Sequence, residues 1–257
     1  MATKSPSAPV APEEPTEIPA WKLLDGDLHL QTLRRDYAPV GLLEMIASAG
    51  QVLDVGCFCG GTGRWLKQRF PLCYLTGIEM LEKAAVIAAP AYDRIVVGRF
   101  EEIDFGKSCI DPRSFDTIIT ADFLEHLVNP WKALQRLRPL LRHGGALYAS
   151  IPNARNLSLL ANLARGSWPY KGSGIQDVTH LRFFTRSTLV EMLMETGWAV
   201  DEIRDNPDTR LSAMFQGRDL SAIRTINAES LSLQNLTHED VTDLLAEQFF
   251  VRARPAQ

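Results

Sequence analysis

The segment that most constrains this chain runs from Val52 to Leu66: Val-Leu-Asp-Val-Gly-Cys-Phe-Cys-Gly-Gly-Thr-Gly-Arg-Trp-Leu. An apolar run ends in an acid, passes through a glycine-rich turn and opens into helix-forming sequence. A second apolar run, from Cys73 to Ile78, ends in Glu79, 25 residues after Asp54. Strand, glycine turn, helix, strand and terminal acid are the front half of a nucleotide-binding βαβ unit. Glycines let the backbone turn sharply and come close to a ligand. A carboxylate just past the second strand is placed to take both hydroxyls of a ribose. The spacing is not G-x-G-x-x-G, which disfavours a dinucleotide enzyme.

The rest of the chain extends the alternation. Strands are expected at Gln51–Val55, Cys73–Ile78, Arg94–Val97, Phe115–Thr120, Ala146–Ile151, Ala199–Arg204 and Phe249–Ala253, with helical segments between most of them. A first helix is expected over Asp36–Ser48, with Leu42, Leu43 and Ile46 on one face and Pro39 in its first turn. Asn129-Pro130 has the cap and first-turn proline of a helix that carries Trp131, Leu134, Leu137 and Leu141 and stops at Gly144-Gly145. Thr185 caps another helix, ending at Gly197. Thr237 with Asp240 starts a further one through Ala246. This order predicts an α/β fold, a doubly wound and mostly parallel sheet covered on both faces. Residues 1–20 are proline-rich with little to bury, and are expected to be a disordered leader to a single domain over 21–257. Stretches 152–184 and 205–246 are longer than economical connections and are expected to build lids, added helices or the substrate side.

Some classes of function are disfavoured. A net charge of −4 with no basic block argues against a nucleic-acid partner. No apolar run approaches the length of a membrane span. Cys57, Cys59, Cys73 and Cys109 show no zinc spacing, which predicts free thiols in a reducing cytoplasm and no metal site.

The string from Val52 to Gly63 resembles motif I of the class I S-adenosylmethionine (SAM) methyltransferases. Three later segments resemble that family in order and spacing: Val96–Ile103, where such enzymes grip adenine; Phe115–Leu127, which ends the fourth strand; and Leu140–Leu147, the turn before the fifth. The resemblance covers residues 51–151. It implies a seven-stranded Rossmann-like sheet of order 3-2-1-4-5-7-6, the last strand antiparallel. SAM is then the implied cofactor, held by Asp54, Gly56, Cys57, Gly60, Glu79, Met80, Arg99, Phe100, Glu101, Ala121, Asp122 and Phe123. Two positions depart from the family pattern. Phe58 replaces the middle glycine of the commoner turn. Arg99 stands where many relatives have an acid for the adenine amino group, a bond arginine cannot accept.

The segments Ser150–Asn153 and Gly174–Thr185 further resemble bacterial methyltransferases often associated with sugar and cell-surface glycan biosynthesis. The implied partner is a small-molecule or glycan acceptor, and the chain could pair as a homodimer. O-methylation is the leading expectation. Methylation at nitrogen or carbon, or a SAM-binding subunit without catalysis, are the rivals. Methyl transfer from a sulfonium needs alignment, and a hydroxyl acceptor also gains from a base. His126 and His180 are the candidate bases, with Asp177 placed to orient His180. Asn153, Trp168 and Tyr170 are the candidate acceptor contacts.

Overall fold

The computed structural model describes residues 36–228 and 230–256, together with Lys22 and Leu24. The expected leader, residues 1–20, lies outside the described residues. Seven strands form the main sheet: β1 (Gln51–Val55), β2 (Tyr74–Glu79), β3 (Arg94–Val97), β4 (Phe115–Ala121), β5 (Leu141–Pro152), β6 (Trp198–Pro207) and β9 (Ala246–Pro255). Their order is β3-β2-β1-β4-β5-β9-β6. The first five pair in parallel, and β9 runs antiparallel between β5 and β6. This is the order and polarity the sequence led one to expect.

Burial explains the strand chemistry. Four of the five β1 residues are buried, as a parallel strand covered on both faces requires. One apolar layer gathers Leu53, Ile118, Leu134, Leu147 and Trp198; the other gathers Val52, Leu66, Leu75, Ile119 and Phe250. Helices α2 (Gly61–Arg69), α3 (Glu82–Ala88), α4 (Pro130–Leu137) and α6 (Arg186–Glu195) flank the sheet. Asn129 caps α4 by accepting from the Lys132 amide at 2.9 Å. Thr185 and Thr188 make a reciprocal capping box at the start of α6.

Three local expectations change. The first helix shortens to α1 (Val40–Leu43), and Pro39 is its cap residue. The apolar face nevertheless survives: Leu42, Leu43 and Ile46 are all buried. Helix α4 stops at Leu137, before the glycines, because Pro139 cannot supply the amide a continuing helix needs. Leu141 therefore opens β5, and Gly144, with φ of 83°, sits within that strand.

The two long stretches fold together. The first contains α5 (Leu157–Ala164). The second contains α7 (Thr209–Met214), the hairpin β7 (Thr225–Ala228) and β8 (Leu231–Gln234), and α8 (His238–Leu245). Leu157 of α5 joins Leu211, Ile226, Val241 and Leu244 in a separate apolar cluster. Arg155 pairs with Asp240 at 2.7 Å and Asp243 at 3.5 Å, and Arg186 reaches Asp243 at 2.5 Å and also Asp205. The hairpin is absent from the sequence expectation: the sequence between Ala228 and Leu231 lacks the Asn-Gly or Asp-Gly signal of a tight turn.

Candidate active site

The carboxyl ends of β1, β2 and β4 converge where an open parallel sheet binds ligands. Glycine is required at the turn after β1. Gly56 has φ of 79°, and a β-carbon there would stand 2.8 Å from the Phe123 ring. At Gly61 a β-carbon would fall 1.9 Å from the Tyr37 carbonyl oxygen, so the chain before α1 lies directly on the turn. Phe58 adopts the left-handed conformation at φ of 43°, which is how a phenylalanine stands in for the missing glycine. Its amide donates to Glu79 Oε2 at 2.9 Å, and the Leu81 amide donates to Oε1 at 2.8 Å.

Both acids of the sequence motif are buried, Asp54 at 1% and Glu79 at 6% exposure. Burial lifts the Asp54 carboxyl to about 7; a 2.5 Å hydrogen bond donated by the Tyr92 hydroxyl opposes that rise, and the charge of Glu79 adds to it. Glu79 also sits above its ordinary value, again through burial, against the pull of three backbone amides. A third acid, Asp122, has φ of 47° and exchanges two hydrogen bonds with Ser150: its amide donates to Ser150 Oγ at 2.9 Å, and Oγ donates to its Oδ1 at 2.7 Å. Tyr37 adds its hydroxyl to Asp122, whose carboxyl burial also holds above the usual range.

These residues suit a cationic adenosine ligand. An ionised carboxylate has about four acceptor sites. The amides on Glu79 use part of them, and the rest match two ribose hydroxyls. Buried acids raised by desolvation gain when a sulfonium or ammonium arrives beside them. The glycine at 56 keeps open the space that a side chain would fill against Phe123.

Other expected cofactor contacts divide. Gly60, with φ of 83°, caps α2, and the Cys57 amide is bound to the Ile78 carbonyl. Met80 is exposed and Ala121 and Phe123 are half-buried beside the turn. Phe100, in contrast, is a core residue at 3% exposure, lying under the Arg136 guanidinium and edge-on to Phe123 at 5.6 Å. The Arg99 side chain points to solvent and pairs with Glu102 at 3.4 Å, and Glu101 is exposed with its carbonyl held by Arg136.

On the acceptor side the fold unites residues 54 positions apart. His126 ends a 3-10 turn, Leu124–His126, and its ring meets that of His180 at 4.7 Å, edge to face. The Glu125 carbonyl accepts the amides of Leu181 and Arg182 at 2.8 and 3.0 Å, which locks the insertion onto that turn. Asp177 does not orient His180. Its Oδ1 accepts from the Thr179 amide and hydroxyl at 2.8 and 2.6 Å, and Thr179 Oγ1 lies 3.0 Å from His126 Nδ1, so the imidazole it orients belongs to His126. His180 instead sets Nδ1 against the Ile175 carbonyl at 3.2 Å. Burial, with the neighbouring His126, lowers His180 to about 4, so it is neutral at physiological pH. Glu125, missed by sequence reasoning, is fully buried with its carboxyl held far above the usual range by burial.

The expected acceptor contacts fare unequally. Asn153 is wholly buried: its amide donates to the Asp243 and Ala246 carbonyls at 2.7 and 3.0 Å, and its oxygen accepts from the Arg155 amide. It ties β5 to the insertions. Trp168 and Tyr170 do group, with Phe183, at ring separations of 6.4 and 5.4 Å from Trp168. Tyr170 and Phe183 are about half exposed, at 59% and 48%.

A methyltransferase-domain family model matches residues 30–203. The chain belongs to the SAM-dependent methyltransferases. It is 24% identical over 188 residues to a ubiquinone biosynthesis O-methyltransferase of Nitrosospira multiformis, covering 69% of this chain and 75% of that one. It is 32% identical over 102 residues to a trans-aconitate 2-methyltransferase of Deinococcus radiodurans, covering 40% of this chain and 38% of that one. Among solved structures, an S-adenosylmethionine-dependent methyltransferase of Mesorhizobium loti superposes with a TM-score of 0.55 at 18% identity, over 88% of this chain and 99% of that one. The [4+2]-cyclase SpnF superposes equally well, at 0.55 and 17% identity, over 85% of this chain and 80% of that one. Likeness at that level concerns the fold alone. S-adenosylmethionine is the cofactor of the methyltransferase family. Among the described residues no helix is long and apolar enough to cross a membrane.

Proposed function

We propose that this methyltransferase methylates a hydroxyl oxygen of a small metabolite, sugar or glycan precursor, with the acceptor activated at the His126–His180 pair. The observation that carries the reading is the edge-to-face contact of these two imidazoles at 4.7 Å, with His126 five residues beyond the end of β4. In this reading Glu79 holds the ribose, the Gly56–Gly61 turn lets the ligand approach the backbone, and Asp54 and Asp122 offset its positive charge. When bound, SAM supplies an electrophilic methyl on a sulfonium.

The chain's own residues then have two tasks. The first is alignment of acceptor and methyl, which is worth up to ~7–11 kcal/mol in well-oriented systems. The Trp168–Tyr170–Phe183 shelf presents flat apolar surface suited to a ring or a sugar face. The second is removal of the hydroxyl proton. Asp177 and Thr179 fix the His126 ring, and the Ile175 carbonyl fixes that of His180, so both rings hold their orientation as an acceptor arrives. The N. multiformis relative's name, an O-methyltransferase, supports oxygen as the accepting atom.

The test is a screen with isotopically labelled SAM against nucleotide sugars and phenols. Labelled ether product from one of these classes supports the reading. Product labelled at nitrogen or carbon overturns the choice of acceptor atom.

A further inference from the structure

Glu125, His126 and His180 each bring one potential ligand atom to a common point, all within 4.8 Å of one another. None of the three hydrogen-bonds another. Glu125 is wholly buried, and neither carboxylate oxygen meets a hydrogen-bond donor. A buried carboxyl left in that state is costly.

The hydrogen bonds behind the two imidazoles decide where their lone pairs lie. The Ile175 carbonyl can only accept, so His180 Nδ1 carries the ring proton and Nε2 the lone pair. It is Nε2 that lies 3.9 Å from Glu125 Oε1. The Thr179 hydroxyl gives its proton to Asp177, so its oxygen accepts from His126 Nδ1. The lone pair of His126 is then also on Nε2. The lone pair of His180 and the buried Glu125 carboxyl thus face one small space that the His126 ring also borders. A separation of 3.9 Å is too long for a hydrogen bond. It is within about 0.5 Å of the roughly 3.4 Å between two ligands of a tetrahedral ion with bonds near 2.1 Å. Carboxylate or carbonyl partners behind the ligating histidines are the usual support of a metal centre.

We propose that Glu125, His126 and His180 bind a divalent first-row transition ion through two imidazole nitrogens and one carboxylate oxygen. Mixed nitrogen and oxygen donors favour zinc, cobalt, manganese or iron over magnesium and calcium, which prefer oxygen throughout. Three protein ligands leave a coordination position open. There an acceptor hydroxyl would lose its proton at neutral pH to water. That role rests on the proposed O-methylation; the binding of the ion does not.

The test uses the full chain without an affinity tag, stripped by chelator and dialysed. Cobalt(II) is titrated in and followed by its visible absorption, with zinc followed by calorimetry. The expected result is one ion per chain, and affinity at least 100-fold weaker in Glu125→Gln, whose side chain has the same size. Thr179→Val, which removes the group orienting His126, should weaken cobalt binding 10–100-fold. SAM binding by each variant, measured in parallel, reports that the fold is intact. Absence of one-to-one uptake by the wild type overturns the site, as does equal uptake by Glu125→Gln. Uptake without methyl transfer to any acceptor would sink the functional reading and keep the site. Methyl transfer that survives chelation, in a chain that takes up no cobalt, would keep the function and return the proton to a histidine base.

Discussion

The cofactor half and the acceptor half of this molecule are built on different principles. Around Asp54 and Glu79 the buried carboxyls are set in place mostly by backbone: a glycine turn, the amides that donate to Glu79, and two strand ends. Around His126 and His180 the groups are side chains drawn from a short turn and a long insertion, held in place by the Glu125 carbonyl and by Thr179. A backbone-built site follows from one contiguous motif. A side-chain-built site exists only once distant segments have folded onto each other.

That contrast breaks most sharply if catalysis resists change on the acceptor side. His180→Gln and His126→Gln should each lower turnover about 10²–10⁴-fold while leaving SAM affinity nearly unchanged. Single-turnover kinetics with a true acceptor measure the first, calorimetry the second. Near-normal turnover in both variants would leave positioning alone, or Asp177, to account for the reaction.

On the cofactor side the largest effect is electrostatic. An acid lifted to about 7 in the fold keeps its proton at pH values where the unfolded chain has lost it. Stability contributed by Asp54 therefore falls as pH rises from about 4 to 7, the reverse of a salt-bridged carboxylate. Between pH 5 and 7 its share of the loss is about 2 kcal/mol. Urea unfolding of wild type and Asp54→Asn at the two pH values checks this: the variant should lose about that much less. For the same reason SAM, a cation, should bind more tightly as pH passes 7, with a weaker dependence in Asp54→Asn.

Glu79→Ala should weaken SAM and S-adenosylhomocysteine alike by ~1.5–3 kcal/mol, since a charged hydrogen-bond acceptor is lost. Titration calorimetry of the variant against both ligands checks it, and undiminished affinity would remove Glu79 from the ribose site. The smallest effect belongs to the insertions. Thr237 and Asp240 cap α8 reciprocally, and Thr237→Ala should cost about 1 kcal/mol of stability without altering SAM affinity. A loss of SAM binding in that variant would show that the two halves are energetically one.

The same division governs what could be read from the chain. Strand order, the polarity of β9 and the turn at Gly56 follow from hydrophobic runs, glycines and a family resemblance, all local or repeated signals. The pairing of His126 with His180 was only half legible: both histidines stood out, but not their contact. Glu125 lay inside the segment that marked the end of β4, yet nothing in its neighbours announces a buried acid, because a 3-10 turn has neither the period of a helix nor that of a strand. Asn153 and Phe100 show the opposite situation. They lie beside the site in sequence, but their side chains turn inward, Asn153 to the carbonyls of Asp243 and Ala246 and Phe100 to Arg136. Nor did cysteine and histidine spacing reveal the donor cluster at Glu125, since two of its members are adjacent and the third is 54 residues away.

The insertion that carries His180 is pinned at both ends by peptide groups. At one end the Ala154 amide binds the Phe184 carbonyl; at the other, the amides of Leu181 and Arg182 bind the carbonyl of Glu125. Peptide groups are common to every residue type. Over evolutionary time the part of that stretch around Trp168 and Tyr170, ahead of Asp177, can therefore change its side chains and its length without moving the clasps. In the proposed reading, a lineage would exchange one acceptor for another there while inheriting the segment from Asp177 to His180, and its partner His126, unaltered.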